Sequence, residues 1–410
     1  MSSLLYVIFC IVFLFINSGV SIRVCPTFSD YYKRSSSCYN NDIENLNMTE
    51  VLRRWGCTAE EYYIFTDDGY ELLIVRAYKK ITHPTPIILA HGILMSGSSF
   101  LSLGNQSLAY NIIESGRQLF FLNFRGTRYS TRHAHGLTQD DYAYWNFSLD
   151  EEIEFDVPKT IDLVYNITGQ KAIFMGFSMG STVSIAYASL YPEEASKKLS
   201  GIISLATACY FRNIISVARF ISPFFTIAQP FLRLLWNGKM FPREQEPLGL
   251  CASGPIQFFI CYNLAAPVLG YDFKGVSPEH FPIVTYFFPD AVGETLIKHY
   301  TQLWGSGEYR RFDYGRERNL KKYGTPKPPY YNLSKINIPV AQFLGEGDFI
   351  TTVENGKLVD SLLNPNVRCG ITIMKYKRWT HDDFINHRDQ MTYLVPSVLQ
   401  KLDNMENSRC

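Results

Sequence analysis

Five residues constrain this chain more than any others: Gly176-Phe177-Ser178-Met179-Gly180, a G-x-S-x-G sequence. Residues 171–175 before them are a short apolar run of strand length. Residues 181–190 after them are rich in Ala, Ser and small β-branched side chains, the composition of a tightly packed helix. The five residues alone could fall by chance at the start of a small-residue helix. Between a strand and a helix they read as a nucleophile elbow, in which a sharp turn forces strained dihedrals on the serine and leaves room only for glycine beside it. Such a turn lifts the Ser178 hydroxyl clear of a sheet. It also sets that hydroxyl at a helix N-terminus, where free N–H groups and the positive dipole end favour a developing oxyanion.

The rest of the chain supplies the sheet that an elbow needs. Residues 61–66 and 70–76 are strand-like runs around Asp67-Asp68-Gly69, a hairpin signal. Strand candidates follow at 87–90, 119–122 and 202–205, and residues 155–165 have helical spacing. From about residue 209 to 325 the alternation stops, and aromatic, Pro-punctuated, mostly helical segments take over. It resumes with a strand at 340–344, a helix at 353–363, a strand at 371–374 and a last helix over about 389–401 that Pro396 kinks or breaks. This pattern predicts an α/β fold with a central, mostly parallel sheet flanked by helices. The block inserted after the sixth or so strand reads as a helical cap over the strand ends, where open α/β sheets place their sites. The expected division is a leader over 1–21, a first core part over 22–208, a cap/lid insertion over 209–325, a second core part over 326–402 and a tail over 403–410.

A serine alone is a weak nucleophile at neutral pH; it needs a base, and the base an orienting carboxylate. With an elbow of this kind the chain order is Ser, acid, His, each partner following a strand. Gly345-Glu346-Gly347-Asp348 comes directly after the strand ending at Leu344, so Asp348 is the candidate acid. Glu346 is its competitor, and a solvated Gly-Asp turn is the alternative reading of the whole cluster. His381, in Trp379-Thr380-His381-Asp382-Asp383-Phe384, follows the last strand and is the candidate base. His387 lies further towards the terminal helix, and His280 and His299 fall in the cap. An oxyanion hole needs two backbone amides. Met179 offers one, and Ile93, in His91-Gly92-Ile93 after the strand ending at Ala90, offers the other. His133-Ala134-His135 lacks the surrounding ligands of a metal site, so no metal and no cofactor is expected.

Composition bears on compartment and partners. Residues 4–16 are almost wholly apolar and are followed by small residues, so a cleavable leader ending near Ser21 is expected. Five N-x-[ST] sequons, at Asn47, Asn105, Asn146, Asn166 and Asn332, fit a glycoprotein of the secretory route. Cys10 leaves with the leader, which makes the remaining cysteines even in number. Cys251 with Cys261, and Cys25 with Cys38, are close enough in sequence to pair locally; Cys57, Cys209, Cys369 and Cys410 stay unassigned. A net charge of +1 gives no electrostatic case for nucleic acid. Aromatic residues at 15% suggest a large apolar surface. No obligate protein partner is evident.

The chain resembles the acid lipase family of α/β hydrolases from about residue 55 to about 402. The resemblance rests on Trp55-Gly56 with Glu61, on Thr66-Asp67-Asp68-Gly69-Tyr70, on His91-Gly92-Ile93 and on Asn123-Phe124-Arg125-Gly126. It continues through residues 144–151, Pro329-Tyr330-Tyr331-Asn332, Gly347-Asp348, and His381 with Asp383-Phe384. It implies an α/β-hydrolase fold with Ser178 as nucleophile, Asp348 as acid, His381 as base, and Ile93 and Met179 as oxyanion-hole amides. It also implies a cap and lid and a Cys251–Cys261 disulfide, and it decides Asp348 over Glu346. The chain departs from the usual G-H-S-Q-G elbow at Phe177 and Met179, and has Phe100 where the family often has Trp. The implied activity is hydrolysis of lipid esters, triglycerides or sterol esters, at a lipid–water interface by a secreted or lysosomal enzyme. A catalytically silent lipid-binding or storage protein and a short-chain carboxylesterase are the alternatives.

Overall fold

The computed structural model describes residues 22–241 and 255–410. The leader expected over 1–21 and Cys251, with its expected bond to Cys261, lie outside the described residues.

The apolar runs pair into an eight-stranded sheet. In chain order its strands are β1 (Thr58–Phe65), β2 (Glu71–Tyr78), β3 (Ile87–Ala90), β4 (Leu119–Leu122), β5 (Ala172–Phe177), β6 (Leu199–Leu205), β7 (Val340–Leu344) and β8 (Arg368–Ile373). In space the order is β8-β7-β6-β5-β3-β4-β2-β1. β1 and β2 form the antiparallel hairpin expected around Asp67-Asp68-Gly69, and β2 runs antiparallel to β4; the remaining pairings are parallel. β3, β4 and β5 are buried at every position, as strands covered on both faces must be. β1, at the edge, alternates exposed and covered side chains.

Helices α1 (Val157–Thr168) and α2 (Met179–Leu190) flank β5 in sequence. Between β6 and β7 lie α3 (Ala218–Trp236) and α4 (Pro255–Leu269), among other helices. Six strands of the sheet precede this insertion and two follow it. Helix α5 (Val353–Leu362) links β7 to β8, and α6 (Val395–Glu406) closes the chain.

The terminal helix differs from the expected 389–401. It starts after Leu394 with Pro396 in its first turn, where a missing N–H breaks no helical bond, and it runs past Lys401 to Glu406. A Cys369–Cys410 disulfide ties the last residue back to β8. Cys25 and Cys38 pair as expected, and Cys57 and Cys209 are buried free thiols.

Several of the residues that carry the family resemblance form buried polar joints beside the sheet. Arg125 bonds Asp156 through Nε at 2.9 Å and also reaches Asp68, with its guanidinium 4.1 Å from the Tyr70 ring centroid. Asp150 accepts from Tyr331 at 2.7 Å and Tyr323 at 3.0 Å.

Close packing of α2 on β3 and β5 fixes the glycines of the elbow. A Cβ on Gly180 would stand 2.4 Å from the Ala90 carbonyl oxygen, and one on Gly176 would stand 2.2 Å from the Gly180 backbone. Neither clash involves a flexible side chain that could yield. We expect Gly180→Ala to lose about 3 kcal/mol or more of stability, the upper range for overpacking, or to fail to fold. Thermal melts of purified protein check this; an unchanged melting temperature would show that the helix can move outward freely.

Candidate active site

Ser178 sits at the junction of β5 and α2 with φ 50° and ψ −109°, a left-handed conformation that costs a non-glycine residue energy. Its backbone is held on both sides. Ser178 N–H donates to Leu205 O at 2.9 Å, and its carbonyl accepts from Ser181 N at 2.9 Å and Thr182 N at 3.0 Å. The side chain stands at the C-terminal end of the parallel strands, 6% exposed.

The sheet order brings the two partners to it. Asp348 follows β7 and His381 follows β8. His381 Nδ1–H donates to Asp348 Oδ2 at 2.8 Å, and the Ser178 hydroxyl donates to His381 Nε2 at 2.8 Å; the tautomer is assigned from these partners. Asp348 is fixed by donors on both oxygens. Oδ1 accepts from Ile350 N and Thr351 N, each at 2.8 Å, and the Thr351 hydroxyl donates to Oδ2. Glu346 points to solvent. A linear Ser–His–carboxylate arrangement of this kind can pass a proton from the hydroxyl to the imidazole while the carboxylate holds the ring in register.

The loop after β3 lies against the elbow. Gly180 N–H donates to His91 O at 3.1 Å, and a Cβ on Gly92 would stand 3.4 Å from Ser178 Cβ. His91 holds this loop. Its Nδ1–H donates to Gly92 O at 2.8 Å and its Nε2 accepts from Phe124 N at 3.2 Å. Burial lowers the His91 ring to about 4, so it stays neutral and keeps both bonds. Among the described residues the amides of Met179 and Ile93 have no acceptor. Phe177 was flagged by the sequence only as a departure. Its ring is buried, 5.2 Å from the His381 ring.

His387 is not at this centre. It is buried, stacked on Trp379 with ring centroids 4.6 Å apart, and its Nε2 faces Asp272 Oδ2 at 3.3 Å. Atoms of Asp272, Asp383 and His387 lie within 4.8 Å of one another, a spacing a metal ion could use. One ring nitrogen is already engaged: His387 Nδ1 accepts from Asp389 N at 3.0 Å, while Nε2 and Asp272 Oδ2 are buried without a hydrogen-bond partner among the described residues. His133 and His135 bond each other's segment, with His135 N–H donating to His133 Nδ1 at 3.2 Å. His280 bonds Ser277 and His299 bonds Arg310 O within the insertion. All five sequon asparagines are exposed.

The insertion carries an unusual outer face. Phe220, Phe224, Ile227, Phe231 and Leu234, one helical stripe of α3, are each 68–84% exposed. On α4, Ile256, Phe259, Ile260 and Leu264 are exposed as well. Phe225, Leu232 and Trp236 of α3 pack instead against the core. Among the described residues no helix is long and apolar enough to cross a membrane.

Two family models match the chain: the alpha/beta hydrolase fold over residues 85–254, and a partial alpha/beta-hydrolase lipase region over residues 48–104. Human gastric triacylglycerol lipase is 29% identical over 335 residues, 78% of this chain and 82% of its own. Mouse lipase member K is 27% identical over 392 residues, 92% of this chain and 96% of its own. Among solved structures, a soluble variant of monoglyceride lipase from Saccharomyces cerevisiae, in complex with a substrate analogue, superposes with a TM-score of 0.51. Its identity is 14%, over 86% of this chain and 95% of that one, a likeness of fold.

The loop that carries His381 also carries a titrating group. Asp383 accepts from Thr380 N at 2.5 Å, and burial pushes its carboxyl up to about 7. Unfolded, an aspartate titrates near ~3.9. The folded state therefore holds this proton more tightly, so the stabilisation is complete below about pH 4 and is lost as pH rises through about 7. Asp383→Asn keeps the acceptor and removes the titration. Its melting temperature is expected to fall less than that of the wild type between pH 4 and 7, and equal slopes would show that Asp383 does not titrate there.

Proposed function

We propose, on the premise that the chain belongs to the acid lipase family of α/β hydrolases, that it cleaves lipid esters through Ser178, His381 and Asp348. It is a hydrolase of the lipase and esterase kind. The single observation that carries the assignment of residues is the unbroken hydrogen-bond line from Ser178 Oγ through His381 to Asp348.

In this reading Ser178 Oγ attacks the ester carbonyl while His381 Nε2 takes its proton. The carbonyl oxygen becomes an oxyanion, held by the amides of Met179 and Ile93. One stands at the N-terminus of α2 and the other on the loop tied to the elbow. The intermediate collapses, His381 returns the proton to the leaving alcohol oxygen, and an acyl-Ser178 ester remains. Water, deprotonated by His381, then attacks the acyl carbon; the bond from that carbon to Ser178 Oγ breaks, His381 returns the proton to Oγ, and the fatty acid leaves. No cofactor enters.

Residues 209–325 are the cap, with 22–208 and 326–402 as the core and 403–410 as the tail. The apolar stripes of α3 and α4 are the surface that meets lipid. A side chain of their size gains roughly 1.5–3 kcal/mol on leaving water, and a contiguous patch marks an interaction surface. The substrates are triglycerides or sterol esters with long acyl chains. The exposed sequons support glycosylation at Asn47, Asn105, Asn146, Asn166 and Asn332, and with the leader-like residues 1–21 they support a secreted or lysosomal enzyme.

The test is hydrolysis of a matched ester series by the purified glycoprotein beside Ser178→Ala. The series runs from short soluble esters to triglyceride and cholesteryl ester emulsions, at acidic and neutral pH. Turnover is expected to rise with acyl length in the wild type and to fall to background in folded Ser178→Ala. Turnover on short soluble esters alone would mark a carboxylesterase. No turnover on any ester would mark a binding or storage protein.

A further inference from the structure

The cap is joined to the core at the residue beside Asp348. On the way into the insertion, Ile215 N and Ser216 N both donate to Phe349 O at 2.9 Å. On the way out, Phe349 N donates to Leu269 O, at the end of α4, at 3.4 Å. The same Leu269 carbonyl accepts from His381 N at 3.1 Å. One carbonyl of the insertion thus receives amides from both core loops, the one after β7 that carries Asp348 and the one after β8 that carries His381. It is also among the last carbonyls of α4, which have no partner inside the helix and must find one elsewhere.

The next residues extend the joint. Gly270 has φ +117°, and a Cβ there would stand 2.1 Å from Gly347 O and 3.0 Å from Thr380 Cγ2, so it is wedged between the same two loops. Asp272 accepts from Tyr376 at 3.0 Å and faces His387. Gly275 O accepts from Arg388 N at 2.8 Å, and Val276 bridges to His387. Residues 269–276 therefore lie as a strap along the His381 loop. Val217 N donates to Pro267 O at 3.2 Å and closes the base of the insertion.

We infer that Leu269 and Gly270 are positioning residues for the reaction: a staple, contributed by the cap, that sets the spacing of the Asp348 and His381 loops. The inference rests on the reading of Asp348 and His381 as acid and base. Both act through the two loops they hold. The core itself ties the two loops where Gly347 N donates to Trp379 O at 3.0 Å, and the staple adds a second tie beyond it, at Phe349 and at His381 itself. The staple also confines movement: the exposed apolar stripes of α3 and α4 lie between Val217 and Pro267, on the far side of the joint. The lid can shift at a lipid surface while the joint, and with it the catalytic line, stays in place.

The experiment uses full-length Gly270→Ala and Asp272→Asn beside wild type and Ser178→Ala. Each is assayed on a soluble short-chain nitrophenyl ester and on a long-chain triglyceride emulsion, with amide hydrogen exchange followed over residues 376–388. Gly270→Ala is expected to lower the melting temperature, and its folded fraction to lose kcat on the order of 10²-fold on both substrates with KM little changed, as a displacement of about an ångström would cause. Exchange over the His381 segment should rise. A purely structural role for the strap would lower the melting temperature and leave kcat of the folded fraction intact. That result, or a loss confined to the emulsion, overturns the inference. Should Gly270→Ala fail to fold, Asp272→Asn, which loosens the strap without adding bulk, is expected to show the same kcat-only loss at smaller size; an unchanged kcat overturns the inference. Absence of Ser178-dependent turnover in the wild type sinks the hydrolase reading alone. The staple is then judged by exchange, where no rise in either variant overturns it.

Discussion

A serine held in a left-handed conformation between a buried strand and a buried helix is the constraint on which the rest of this structure depends. Such a residue costs on the order of 1–3 kcal/mol. It persists because its surroundings leave it no alternative. Its N–H is tied to Leu205 on β6, its carbonyl to the first turn of α2, and the amide of Gly180 to His91 after β3. These bonds require β5 to lie between β3 and β6, which is where the sheet order puts it. They also require α2 to press on the strands so closely that Gly176 and Gly180 have no space for a side chain. Once β5 is central, the loops after β7 and β8 arrive from one side and the loop after β3 from the other. The position of the catalytic candidates thus follows from one strained turn.

The insertion resolves a conflict between two demands. A surface that meets lipid must leave apolar side chains in water when no lipid is present, which is unfavourable and favours movement or aggregation. A proton-transfer line must hold its geometry to a fraction of an ångström. In the proposed reading helix α3 answers the first demand by being apolar on two faces. Phe225, Leu232 and Trp236 anchor it, with Arg233 on Glu294 beside them, while its outer stripe stays exposed. The second demand is met at the base of the insertion, where entering and leaving segments converge on Phe349. The exposed apolar stripes and the hydrogen-bonded joint are separated along the chain, the first distal and the second next to Asp348.

Much of this was legible in the sequence, for physical reasons that differ from residue to residue. Ser178 could be read because an elbow imposes glycines at fixed offsets. Asp348 and His381 could be read because parallel strands deliver their loops to one end of a sheet, so a position after a strand is a position in space. The two readings of Asp348, turn former and candidate acid, are compatible in one geometry. Oδ1 makes the turn by accepting the amides of Ile350 and Thr351, and Oδ2 faces His381. What the sequence hid depends on contacts between distant segments. Leu269 offers only a carbonyl, which every residue has. Cys369 and Cys410 are too far apart in sequence to pair by proximity. Pro396 reads as a helix breaker until the helix is seen to begin beside it.

The two departures from the usual elbow touch side chains and spare the backbone. Phe177 cannot hydrogen-bond, and its ring lies against His381, so the imidazole keeps both nitrogens for Ser178 and Asp348. The same ring fills the space above Gly92, where a Cβ would stand 3.0 Å from Phe177 Cε1. A phenylalanine at this position therefore requires glycine in the loop that offers the Ile93 amide, and that glycine is present. Met179 is buried in the core, and its substitution for a polar residue leaves its amide where the helix N-terminus puts it. The groups that an acyl-transfer reaction needs are backbone amides and three side chains, and none of these is altered. What changes is the apolar wall around them, and in the proposed reaction that wall is what an ester meets on its way to Ser178.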